Sequence, residues 1–133
     1  MSTITRHIPV TASTDDAWAA IADPGRINEL ITFLGSVTVT GHERSCSLGD
    51  NGTLQELLVA NDPDRRRVAY AITKSPFGFT HHHASMQIVD APDGSTFVWT
   101  TDFLPDDLHD MVEPIIDAGV ASIQQVLGTG TPS

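Results

Sequence analysis

The sequence predicts an α+β fold in which a curled antiparallel sheet of six to seven strands surrounds one long C-terminal helix. Two short helical segments follow directly after a first strand, and Pro24 and Gly25 separate them. The middle of the chain consists of strand-like runs separated by turns, and one apolar stripe of helical period closes it. This order favours a single sheet packed on a single helix, with a cavity between them.

The segment IPVTASTDDAWAAIADPGRI, residues 8–27, predicts the end of a strand and both short helices. Ser13 or Thr14 can cap the first helix, because a side-chain oxygen there accepts a hydrogen bond from a free backbone N–H. Two aspartates follow in the first turn, where negative charge is favourable. Trp18 is predicted to pack in the core, and the break at Pro24 starts the second helix.

Alternating and β-branched runs predict five further strands, and residues rich in Gly, Pro, Asn and Asp predict the turns between them. The strand-like runs are residues 34–40, 54–59, 68–73, 82–89 and 96–103, with turns at residues 50–52, 61–64, 75–78 and 93–94. The stretch 43–51 is predicted to be a short connection that leaves little room for a cavity wall. Cys46 is therefore expected in a loop, with no basic partner nearby.

The closing helix is predicted to begin near Pro105 and to present one apolar stripe. Its members are Leu108, Met111, Val112, Ile115, Ile116, Ile123 and Val126. Pro114 predicts either a kink or a new helix start, since proline costs about 3 kcal/mol inside a straight helix. Gly119 lies on the stripe, so a side chain is missing there. Close backbone packing and space for a ligand explain this glycine equally well.

Composition excludes several classes of function. Seven basic and seventeen acidic residues give a formal charge of -10, which repels a phosphate backbone, so no nucleic-acid partner is expected. Arg65, Arg66 and Arg67 are interpreted as a solvated turn. No run approaches the ~20 apolar residues of a membrane span. One domain, residues 1–133, is predicted, and a single cysteine with no secretion signal favours the cytoplasm.

Four segments together resemble one known family. They are IPVTASTDDAWAAIADPGRI, LQELLVANDPDRRRVAYAI, GSTFVWTTDFLP and EPIIDAGVASIQQVLG. The chain is similar to the START-like, or SRPBCC, superfamily, and most similar to its polyketide cyclase/dehydrase-like branch. This resemblance implies the helix-grip fold, with a cavity between sheet and helix. Members include lipid carriers, hormone receptors and cyclases, so the resemblance restricts the fold to one type but leaves several functions possible.

Strand alternation predicts which side chains face the helix. The candidate ligand-binding residues are Glu56, Tyr70, His82, Met86, Trp99, Phe103, Met111, Ile115 and Gly119. Glu56 is the sharpest candidate, because a buried carboxylate must be paired, hydrogen-bonded or protonated. The alternative is that Glu56 points outward and Leu57 is buried. For catalysis, Glu56 or His82 would act as a base, with Tyr70 donating to a carbonyl oxygen.

The triplet His81-His82-His83 raises the question of a metal site. On a strand, His81 and His83 share a face at about 6–7 Å and could share a metal, but a site needs at least a third ligand. His7 or His42 could supply one, although no spacing indicates it. We expect an outward pair with His82 lining the cavity, and neither a metal nor another cofactor.

Three functions remain open from the sequence. The first is binding of a small hydrophobic, polyketide-like or lipid-like molecule between the sheet and the C-terminal helix. The second is a cyclase, aromatase or dehydratase, and the third is a protein-interaction module with a filled core. A cavity above about 300 Å³, lined by Tyr70, His82, Trp99 and Met111, would favour binding. A homodimer also remains open.

Overall fold

The computed structural model describes residues 1–131, which form seven strands and two α-helices. The strands are β1 (Ser2–Val10), β2 (Val37–Thr40), β3 (Glu43–Ser47), β4 (Thr53–Asp62), β5 (Arg67–Lys74), β6 (His81–Ala91) and β7 (Gly94–Leu104). The helices are α1 (Thr14–Ala22) and α2 (His109–Leu127). Short 3₁₀ segments occupy Pro24–Glu29, Gly49–Asn51 and Asp106–Leu108. Ser13 caps α1 by accepting a hydrogen bond from the Asp16 N–H.

All seven strands belong to one antiparallel sheet in the order β1-β7-β6-β5-β4-β3-β2. The first two strands of the chain therefore lie at opposite edges, and α1 and the Pro24–Glu29 segment connect them. The pairing of β4 with β5 shifts register between Gln55 and Glu56 and again between Leu58 and Ala60. Such bulges bend a strand and increase its twist, which helps this sheet to curve.

One continuous hydrophobic core lies between the sheet and the helices. Alternation along β6 and β7 buries the residues predicted to face inward: His82, Ala84, Met86 and Ile88 on β6, and Phe97, Trp99, Thr101 and Phe103 on β7. Trp18 packs against this core from α1. The α+β fold, the order of elements and the inward faces of these strands are thus confirmed.

The expectation of a short connection over residues 43–51 is wrong. Glu43–Ser47 form strand β3, which pairs with both β2 and β4. Cys46 lies on this strand, fully buried, and its inward neighbour is Arg44. This strand could not be predicted from local sequence, because ERSCS contains no β-branched or aromatic residue. Pairing with the neighbouring strands decides its conformation instead.

Helix α2 runs without interruption from His109 to Leu127, with Pro114 at its sixth position. The alternative that a helix begins anew at Pro114 is therefore wrong. The buried stripe is also narrower than predicted, because Met111 and Val126 are 40% and 46% exposed. The face that contacts the core consists of Val112, Ile116, Gly119, Ser122 and Ile123.

Gly119 provides the close approach between α2 and the sheet. A Cβ added at Gly119 would lie 2.6 Å from Cζ3 of the Trp99 ring, so the ring occupies the space of the missing side chain. Close packing, rather than ligand space, thus explains this glycine.

Replacing Gly119 with Ala should therefore lower the free energy of unfolding by about 1–3 kcal/mol, because overpacking outweighs the gain in helix propensity. Urea unfolding measures this change. Ala118, an exposed neighbour on α2, provides the control: Ala118→Gly should cost only about 1 kcal/mol. A stabilised Gly119→Ala protein would contradict the packing argument.

Candidate functional site

A cavity of about 90 Å³ lies between the sheet and α2. Most of its wall is aromatic or aliphatic. The lining residues are Ile27, Ile31, Phe33, Leu34, Arg44, Leu54, Glu56, Tyr70, Ile72, Phe77, Phe79, His82, Met86, Trp99, Thr101, Val112, Ile115 and Ile116. Six predicted site residues are among them: Glu56, Tyr70, His82, Met86, Trp99 and Ile115.

The remaining three predicted residues lie outside this wall. Phe103 is completely buried behind it and packs edge-on against Phe79, with ring centroids 5.7 Å apart. Gly119 is covered by the Trp99 ring. The expectation that Met111 lines the cavity is corrected, because its side chain projects from the edge of the helix stripe toward solvent.

Part of the wall comes from segments that connect the strands and helices. Ile31, Phe33 and Leu34 follow the Pro24–Glu29 segment, and Ser122 of α2 holds this connection in place. The Ser122 hydroxyl donates to the Leu30 carbonyl at 2.7 Å and accepts from the Thr32 N–H at 2.9 Å. On the other side, Phe77 and Phe79 come from the β5–β6 loop. Sequence reasoning missed these aromatic residues, which lie outside regular elements and so carry no periodic signal.

A buried salt bridge between Arg44 and Glu56 occupies one side of the cavity. Arg44 Nε donates to Glu56 Oε1 at 2.7 Å, and both side chains are about 95% removed from solvent. The two residues are direct neighbours in the β3–β4 pairing, which explains the contact. A second guanidinium nitrogen donates to the Pro24 carbonyl at 3.2 Å. The inward phase of Glu56 is thus confirmed, and Leu57 is 43% exposed.

Arg44 is the functional candidate that sequence reasoning missed. The only signal for its inward position is that Arg44 and Cys46 are two residues apart and so share one face of a strand. Opposite charges at Arg44 and Glu56 on adjacent strands would then have indicated the pairing. The register between β3 and β4 was needed to make that connection.

Cys46 and Tyr70 surround the salt bridge. The Cys46 thiol donates to Glu56 Oε1 at 3.3 Å, and burial, together with the Glu56 charge, raises the pKa of this thiol to about 12. Cys46 therefore stays protonated and is a poor nucleophile. The Arg44 guanidinium lies 5.3 Å from the centre of the Tyr70 ring. The Tyr70 oxygen accepts a hydrogen bond from Trp99 Nε1 at 3.2 Å, and burial raises the pKa of its phenol.

His82 is held as a neutral imidazole. Burial, with smaller contributions from the neighbouring His83 and His81, lowers its pKa to about 4. Its Nδ1 accepts a hydrogen bond from the Ile72 N–H at 2.9 Å. An acceptor nitrogen carries no proton, so Nε2 carries the single proton of the neutral ring. This arrangement makes His82 a hydrogen-bond donor toward the cavity rather than a base.

This contact of His82 replaces a missing part of the sheet. The pairing of β5 with β6 extends from Arg67–Gln87 only to Tyr70–Ala84. Beyond that point the two strands separate, and the Ile72 N–H finds the imidazole instead of a backbone carbonyl. We call this separated part of β5 and β6 the β5–β6 seam, residues 71–74 and 81–83. It lies beside the loop that carries Phe77 and Phe79.

The histidine triplet alternates as predicted: His82 is buried, while His81 is exposed and His83 half-buried. In residues 1–131, no three His, Cys, Asp or Glu side chains are grouped closely enough to hold a metal ion. Within the same part of the chain, no helix is long and apolar enough to cross a membrane.

A seven-stranded antiparallel sheet, a long C-terminal helix and a cavity between them together define a helix-grip protein. The family model for polyketide cyclase/dehydrase and lipid transport matches residues 1–128. The chain therefore belongs to this SRPBCC family, as its sequence segments indicated. No curated protein matches it significantly.

Solved structures share the fold across nearly the whole chain. An uncharacterized protein from Bacillus thuringiensis is 21% identical, with a TM-score of 0.87, over 95% of this chain and 98% of its own. A protein from Thermobifida fusca is 25% identical over both complete chains, with a TM-score of 0.78. Norcoclaurine synthase from Thalictrum flavum, solved with dopamine and hydroxybenzaldehyde, is 16% identical, with a TM-score of 0.71, over 94% of this chain and 85% of its own.

Proposed function

We propose that this protein binds a small, largely apolar molecule in the cavity between the sheet and α2. The composition of the wall carries this proposal, because aromatic and aliphatic side chains surround a few polar groups, as in small-molecule sites generally. Membership of a family described by cyclase, dehydrase and lipid transport functions supports it. Norcoclaurine synthase, which shares the fold, is described with small aromatic molecules bound.

The size of the cavity restricts the ligand. Its volume of about 90 Å³ lies below the ~150 Å³ of an apolar cavity that binds benzene and the ~300 Å³ of drug-sized sites. Ligand entry therefore requires part of the wall to move. Phe33, which is 47% exposed, Phe77 and Phe79 are the side chains best placed to do so. A ligand of one or two rings needs the least movement, while a lipid chain or an extended polyketide needs more.

A binding experiment with a cavity-filling variant tests this function. We expect 2-naphthol, an uncharged two-ring probe, to shift the amide signals of Tyr70 and His82 and the indole signal of Trp99 in a saturable manner. Ile115→Phe places extra volume into the wall of the cavity and should weaken this binding at least about tenfold, or ~1.4 kcal/mol. Titration followed by amide chemical shifts gives both affinities.

The matched control is Ala118→Phe, which adds a phenyl ring to an exposed position of the same helix. It should leave the affinity for naphthol unchanged. Shifts scattered over the surface, or equal affinities of the two variants, would count against the cavity as the binding site.

A cyclase- or dehydratase-type activity is the second candidate, favoured by one observation. His82 and Tyr70 both line the cavity and carry neutral donors, and a neutral imidazole can polarise a carbonyl group. In such a reaction Tyr70 and His82 would act as electrophiles. Glu56 would have to leave Arg44 and Cys46 before it could serve as a base. The cavity does not reach the ~300 Å³ set out from the sequence and lacks Met111 in its wall. The third candidate, an interaction module with a filled core, is still not adopted, because an apolar cavity of about 90 Å³ remains.

A further inference from the structure

The Tyr70 hydroxyl and the His82 imidazole each carry a hydrogen, in the cavity wall, that has no acceptor in the described part of the protein. The Tyr70 oxygen accepts from Trp99, which leaves its own hydrogen free to donate. The His82 Nδ1 accepts from Ile72, which leaves the proton on Nε2. Within residues 1–131, neither of these hydrogens is bonded to another protein group. The two rings are neighbours, with centroids 5.8 Å apart.

The His82 donor borders open space rather than packed protein. No side-chain nitrogen or oxygen that is sealed from solvent lacks a hydrogen-bond partner in the part of the chain that the structure describes. Because Nε2 of His82 has no protein partner, that atom must face a space that a water molecule can enter. His82 is 94% buried and lines the cavity, so this space belongs to the cavity. A donor that faces a largely apolar cavity is stabilised by a ligand that supplies an acceptor.

The charge of the wall limits what that ligand can be. The positive charge of Arg44 is already paired with the carboxylate of Glu56 at 2.7 Å. His82 and Tyr70 are both neutral, so the wall carries no net charge. An anionic ligand would enter a low-dielectric space without a free counter-ion and close to the Glu56 carboxylate, which is unfavourable on both counts.

We propose that the ligand is an uncharged molecule whose carbonyl or phenolic oxygen accepts hydrogen bonds from His82 Nε2 and the Tyr70 hydroxyl. This inference rests on the proposed binding function and refines it. An apolar ring fits the wall formed by Met86, Trp99 and Ile115, while its oxygen reaches the two donors. A carboxylate, such as that of a free fatty acid or an aromatic acid, is rejected.

Three probes of nearly equal size test this selectivity: acetophenone, ethylbenzene and benzoate. They differ in carrying a neutral acceptor, no acceptor and a negative charge. At neutral pH we expect acetophenone to bind about five- to tenfold more tightly than ethylbenzene, as one or two net hydrogen bonds allow. Benzoate should bind at least about tenfold more weakly than acetophenone. Amide chemical-shift titrations measure all three affinities.

Variants connect the preference to one of the donors. Tyr70→Phe should reduce the preference for acetophenone over ethylbenzene to about twofold while ethylbenzene still binds. Thr100→Val, which changes a hydroxyl on the opposite face of β7, should leave the preference unchanged. Equal binding of benzoate and acetophenone, or of ethylbenzene and acetophenone, to the wild-type protein would overturn the inference alone. If naphthol and all three probes fail to bind, the proposed function is overturned as well.

Discussion

Replacing Arg44 with Met should lower the free energy of unfolding by about 3–5 kcal/mol, because the Glu56 carboxylate would remain buried without its partner. The two side chains are 6% and 5% exposed, so little water can compensate for the loss. The Arg44 guanidinium also donates a hydrogen bond to the Pro24 carbonyl and contacts the Tyr70 ring. Urea unfolding of wild-type and variant protein measures the change.

Two further variants separate charge from packing. Arg44→Met combined with Glu56→Leu removes both charges and should recover most of the lost stability, since apolar replacement of a buried ion pair is often neutral. Arg6→Met breaks the surface ion pairs with Glu113 and Asp117 and should cost below about 1 kcal/mol. A loss near that surface value for Arg44→Met would disprove the buried charge as a major contribution to stability.

Acidification should destabilise this protein through His82 by about 3 kcal/mol between about pH 6.5 and pH 4. The pKa of His82 falls from its ordinary value of 6.5 to about 4 in the folded protein, mainly by burial. In this range the unfolded chain binds a proton that the folded chain does not, so stability rises with pH and this contribution is complete above about 6.5. Protonation also turns Nδ1 into a donor and breaks its bond with the Ile72 N–H.

Comparison with His82→Phe isolates this contribution from those of other titrating groups. The variant is expected to be less stable at neutral pH, because the Ile72 N–H loses its acceptor. Its stability should nevertheless fall less steeply as pH decreases from about 7 to about 4. Urea unfolding at a series of pH values gives both slopes, and equal slopes for the two proteins would refute the assignment to His82.

Local patterns predicted most of the fold. Period-two alternation placed His82, Met86 and Trp99 on the inner face, and all three line the cavity. These three residues could be predicted because each lies in a strand with a clear apolar face. For Glu56 the alternation left an outward orientation open, and the structure decided for the inward one.

What could not be predicted depended on contacts distant in sequence. Strand β3 has no local β signal and exists because it pairs between β2 and β4. The pairing of Glu56 with Arg44 could therefore not be predicted, and neither could the zero net charge of the cavity wall. The prediction for Met111 was wrong for another reason. The apolar stripe predicted from helical periodicity was wider than the face of α2 that is buried against the sheet. Gly119 could be explained only once the Trp99 ring was seen to fill its space.

The β5–β6 seam changes how the small cavity volume should be understood. Between two fully paired strands, enlarging the interior would require several backbone hydrogen bonds to break together. Here the strands are already apart beyond Tyr70 and Ala84, and the side-chain contact between His82 and Ile72 connects them. We therefore expect expansion of the interior on this side to cost about one hydrogen bond. His82, which we propose as a donor to the ligand, also connects the two strands of the β5–β6 seam, and this connection would have to break for the cavity to widen there.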